Sequence, residues 1–205
     1  MMARYVLERA DWDGAAALPF TTTQYPQPDS LIRFTRGLGM ARSGDLAGAK
    51  GEIEAIKALR AALERSNQSY WADRSEEQVL AISAWIALKE DAREQATKLM
   101  RAAADGEDGS VKHVAMENRL YPMRELYAEL LLETGQPAAA LHEFETALEQ
   151  TPNRYRVLLG IARAANAEGE RQKASEYYGK LVNLAKNADT ERPETAEAKA
   201  FLASK

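Results

Sequence analysis

The chain contains no cysteine and only two histidines in 205 residues. That removes disulfides, thiolate metal sites and cysteine nucleophiles, and leaves little for histidine chemistry. It has no apolar run near the roughly 20 residues needed to cross a bilayer. Residues 1–20 also lack the basic start and apolar centre of a secretory signal, so a soluble chain, cytoplasmic by default, is expected. No block of one charge is present either. The net charge of −4 is spread along the chain, which gives no electrostatic footprint for nucleic acid. Glycine (12) and proline (7) are sparse. The sequence is rich instead in Ala, Leu, Glu, Lys and Arg, the residues that lose least on entering a helix. At this length roughly 70% of the unfolded surface can be buried without an external staple. The expected class is all-α.

A repeat gives this helical composition its order. Between Tyr121 and Ala188 two segments superimpose with a 34-residue offset: Gly135 recurs as Gly169, Ala140 as Ala174 and Phe144 as Tyr178. The glycines fall where the chain reverses between helices, a place that often needs a left-handed backbone. The alanines are expected where paired helices cross, and the aromatics, four residues on, between neighbouring pairs. Pro152 stops one helix, and Asn153 is expected to cap the next. Weaker copies lie upstream, with Gly44, Ala49 and Ile53 in one and Ala96 and Met100, without a turn glycine, in another. Ala15 precedes Ala49 by the same 34 residues, so residues 1–18 read as a partial first repeat.

A 34-residue unit with small, aromatic and proline residues at these offsets resembles the tetratricopeptide repeat, with Glu133 to Ala140 as its inter-helix turn, although the family's Trp is absent. The arrangement, including Lys112 to Val114 and Ala188 to Glu194, is similar to the C-terminal part of longer bacterial proteins of this family. The resemblance implies an all-α domain over residues 1–205, built of helix-turn-helix repeats stacked in a right-handed superhelix (α-solenoid). Its repeats are expected at 30–66, 69–104, 121–154 and 155–188. A polar loop at 104–120 would follow the second, and a capping helix at 191–204, with Ala196, Ala200 and Phe201 inward, would close the array. Solenoid ends must be capped or paired to cover their core.

Chemistry has few candidates. His113 and His142 stand far apart, and no phosphate-cradling loop, Gly-x-Ser-x-Gly elbow or paired-histidine zinc motif is present. Glu125, Glu129 and Glu133 align on one helical face. Glu125 and Glu129 with His113 form the alternative of a metal or acid/base site, whereas the preferred reading of the three glutamates is a solvated helical face. No enzyme activity, cofactor or metal is expected.

The resemblance implies a concave groove lined by one face of each unit's first helix. That face would comprise Leu31, Phe34, Leu38 and Arg42, then Gln78, Ala81, Trp85 and Lys89, then Glu125, Glu129 and Glu133, and finally Arg156, Leu159, Arg163 and Asn166. Such a wall suits an extended peptide or a helix. Arg156 and Arg163 either grip a carboxylate or balance neighbouring glutamates. The terminal-carboxylate clamp of some family members is not reproduced. Trp85 is either a groove anchor or core, and core is the expected place of Trp71. The expected role is a non-enzymatic scaffold for a protein or peptide partner. The alternative is a structural module, or part of a larger protein, pairing through its repeat ends.

Overall fold

In the computed structural model, which describes residues 2–110, 119–190 and 192–204, all regular elements among the described residues are helical. The chain divides into two compact units, Met1–Leu126 and Tyr127–Lys205, where a single domain over 1–205 was expected. The first unit contains α1 (Met2–Glu8), α2 (Trp12–Ala16), α3 (Pro26–Ser43), α4 (Leu46–Arg65), α5 (Ser69–Lys89) and α6 (Arg93–Asp108). The boundary falls within α7 (Met123–Glu133), and the second unit continues with α8 (Pro137–Gln150), α9 (Tyr155–Ala167), α10 (Arg171–Leu184) and α11 (Pro193–Ala203).

One device recurs in both units. Ala15, Ala49, Ala96, Ala140 and Ala174 are fully buried, and each lies five residues after a residue with left-handed backbone. Those residues are Ala10 (φ 50°), Gly44 (102°), Asp91 (59°), Gly135 (76°) and Gly169 (79°). Each alanine N–H closes the first turn of the second helix on the carbonyl of Asp11, Asp45, Ala92, Gln136 or Glu170, at 2.8–3.0 Å. The turn geometry is therefore kept even where glycine is lost. Aspartate and asparagine tolerate this conformation better than most side chains.

The second helix of a pair also packs on the following pair. Phe144 of α8 is buried against α9 so closely that a Cβ at Gly160 would lie 2.3 Å from its ring. Glycine at 160 is thus required by the approach of the ring, despite its cost inside a helix. Tyr178 of α10 takes the equivalent position, 4.8 Å from the Phe201 ring of α11.

Four local expectations need correction. The polar loop expected from Ala104 is helix as far as Asp108, because Ala103, Ala104 and Glu107 continue the buried stripe of α6; residues 111–118, including His113, lie outside the described residues. Asn153 does not cap α9. It supplies the left-handed turn (φ 59°), and Arg154 occupies the N-cap position without a side-chain cap bond. In α11 the inward residues are Thr195 and Ala198, while Ala196 and Ala200 are exposed and Phe201 is half-buried. A helix 11 residues long that touches α10 along one narrow stripe admits either register from its sequence. Finally, α3 begins at Pro26 rather than near residue 30, with proline in its first turn, where its missing N–H costs nothing. Buried Asp29 anchors this start by accepting from the Thr23 backbone (2.9 Å) and hydroxyl (2.8 Å).

Candidate functional site

Most of the face expected to line a groove is packed away. In the first unit Phe34, Leu38, Gln78, Ala81 and Trp85 are buried, Leu31 and Arg42 are half-buried, and Lys89 is exposed. The reason is that α3 and α5 lie directly against each other, so their three-to-four-residue stripe is shared core. Trp85, 1% exposed, is core and not an anchor. The Arg42 guanidinium stacks on it at 3.8 Å and on Trp12 at 4.1 Å, a cation–π arrangement that ties α2, α3 and α5 together.

The glutamates of α7 are not a solvated face. Glu125 is fully buried, Glu129 is half-buried and only Glu133 is exposed. In the second unit, Arg156 (8% exposed) donates from Nε to Glu129 at 3.1 Å and also from Nη2 to the same oxygen. Arg163 forms a two-pronged bridge to Glu197 of α11, at 2.9 and 2.5 Å. Both arginines thus balance glutamates of their own unit. Burial opposes the charge on Glu197, but hydrogen bonds from Arg163 and from the Tyr178 hydroxyl (2.7 Å) outweigh it and hold the carboxyl below its ordinary range. Leu159 is buried, and Asn166 is exposed on the same face. His142 is exposed on α8. No group of three His, Asp or Glu able to hold a metal ion occurs among the described residues.

Three of the expected groove residues do converge. Leu31, Phe34 and Gln78 line a cavity of about 130 Å³ within the first unit, together with Tyr70, Trp71 and Tyr121. Trp71 is half-buried at its wall instead of in the core. Three cationic side chains, Arg4, Arg74 and Arg119, and two acidic ones, Glu77 and Glu107, complete the lining. Positions 70, 74 and 78 share one face of α5 because they are spaced by one helical turn, so that half of the wall was readable from spacing. Arg119 was hidden inside the segment 104–120, expected as a loop, and Tyr121 opens the repeat expected at 121–154, with nothing in its spacing to mark it as part of this wall.

The polar wall is tightly ordered. Arg74 donates to Glu77 (2.5 Å) and to the Ser110 hydroxyl (2.7 Å). Arg119 donates to the Glu107 carboxylate (3.0 Å), which also accepts from the Met123 backbone N–H (2.8 Å), fixing the start of α7 to α6. Ser30 donates to Gln78 (2.5 Å) and lies 3.1 Å from the Ser75 hydroxyl. Burial pushes the Glu77 carboxyl up to about 8, and neighbouring Arg74 only partly opposes this. Burial raises Glu107 in the same direction against the pull of Arg119.

Among the described residues no helix is long and apolar enough to cross a membrane. No curated protein matches the chain. Residues 131–200, from the end of α7 into α11, match the family model of the tetratricopeptide repeat, in agreement with the turn, alanine and aromatic positions shared by α7–α8 and α9–α10. Residues 131–200 are thus similar to the tetratricopeptide repeat, a protein–protein interaction module, within a chain whose regular elements among the described residues are all α-helical.

Proposed function

We propose that the chain is a non-catalytic scaffold that holds a segment of a partner protein on the first helices of its repeats, and that the contact in the second unit is made through Glu133, Arg163 and Asn166. The observation that supports this most is the family match itself, because stacked repeats of this kind present extended binding surfaces. Within the groove face expected from sequence, these three side chains remain exposed in the second unit, whereas Arg156 and Leu159 are packed. Charges of both signs at an interface rim favour recognition and orientation more than raw affinity. The reading is tested by placing a photoreactive phenylalanine at Asn166 and, as control, at Glu176, an exposed residue of α10. Adducts with a partner protein from position 166 alone are expected. Adducts from position 176 alone would contradict the reading.

A second reading, pairing through the repeat ends, is favoured by one observation: Met2 (63% exposed) and Tyr5 (57%) project from α1. Light scattering on dilution distinguishes it. A dimer that survives dilution and is lost in Tyr5→Lys would support end pairing.

A further inference from the structure

Rings from three stretches of chain wall the first-unit cavity: Phe34 on α3, Tyr70 and Trp71 on α5, and Tyr121 just before α7. Tyr70 and Trp71 meet edge to face, with 5.1 Å between centroids and 83° between planes, so two flat surfaces of different orientation stand side by side. Leu31 and Met123 add aliphatic wall. Such walls suit a ring, since an aromatic guest can lie offset on one ring and edge-on to another.

The polar groups on the same wall are bonded within the protein. Arg4 donates to the Arg119 carbonyl at 2.9 Å, and Ser75 to the Trp71 carbonyl at 3.0 Å. Arg74, Arg119 and Ser30 are engaged with Glu77, Glu107 and Gln78 as described above. A charged guest would lose its water and compete for groups that already have partners, and burying a charge on those terms is costly. An uncharged guest breaks none of these bonds and gains by taking apolar surface, its own and that of the wall, out of water. Size sets the other limit. The volume of about 130 Å³ is close to the roughly 150 Å³ of a cavity known to admit benzene, which leaves room for one ring.

We propose that this cavity binds an uncharged molecule built on a single six-membered aromatic ring. All of its lining residues belong to the first unit, whereas the protein-binding residues proposed above belong to the second, so the site gives the chain a small-molecule ligand in addition to a protein partner.

The test is calorimetric titration of the full chain with three single-ring probes of similar size: benzyl alcohol, benzylammonium and benzoate. Benzyl alcohol is expected to bind, and each ion to bind more weakly by about tenfold or more, the cost of burying a charge without an open partner. Leu31→Trp, which puts a larger side chain on the cavity wall, is expected to weaken benzyl alcohol binding by about tenfold or more, because a filled site has no room for the ring. Its helical circular dichroism is expected to match that of the unaltered chain. If that variant does not fold, the comparison of alcohol and ions on the unaltered chain still decides. No binding of benzyl alcohol at about 10 mM, tenfold above a millimolar Kd, would overturn the proposal. So would an ion that binds as tightly as the alcohol, or undiminished binding of the alcohol by a folded Leu31→Trp chain.

Discussion

Trp85→Ala is expected to destabilise the first unit by about 3–5 kcal/mol, the range for deleting a buried large aromatic side chain. The indole is almost wholly enclosed, and its removal leaves both a void between α3 and α5 and an Arg42 guanidinium with one of its two aromatic faces gone. Urea unfolding followed by circular dichroism measures the loss directly. An exposed groove tryptophan would respond very differently. Surface substitutions away from special features usually stay within about 0.5 kcal/mol, so a small effect would return Trp85 to the surface and overturn the packing described for this unit.

The second large effect is on pH. Because burial raises Glu77 to about 8 from an ordinary value of 4.5, the folded chain holds a proton across that window that the unfolded chain releases. Stability is then highest below about 4.5, falls as pH rises toward 8, and levels off above it. Each such group contributes a slope of at most about 1.4 kcal/mol per pH unit. Glu107, shifted in the same direction by burial, adds to the trend. Glu77→Gln should flatten the fall between pH 5 and 8, as read from unfolding midpoints at successive pH values. Stability of the unaltered chain that rises across this window would mean that the ion pairs with Arg74 and Arg119 outweigh burial.

The repeat was legible because it is written in residues with a strict backbone or volume demand. Gly135, Gly169, Ala140 and Ala174 each satisfy one local condition, and the same condition locates Ala15, Ala49 and Ala96 upstream. Its degenerate copy was harder to read. Asp91 takes the left-handed turn without being glycine, so composition alone shows no break there. The groove was less legible for a different reason. A stripe at three-to-four-residue spacing marks the buried side of a helix, and it does not say whether that side faces a groove or a neighbouring helix. For Phe34, Leu38 and Trp85 the neighbour wins, and for Arg156 and Glu125 burial overrides the usual preference of charged groups for solvent. Gly160 carries its reason only in three dimensions, since nothing in the sequence near α9 announces the Phe144 ring. The cavity likewise depends on Arg119 and Tyr121 meeting α3 and α5 from far along the chain.

The scaffold reading is tested most directly by capture of partner proteins on immobilised chain, comparing the unaltered protein with the double variant Arg163→Ala and Asn166→Ala. Both positions are exposed, and the Arg163–Glu197 bridge is open to solvent at 44% and 36%, so its loss should cost no more than about 1 kcal/mol and leave the fold intact. The account predicts a partner that is retained by the unaltered chain and lost from the folded variant. Equal retention by both would contradict it.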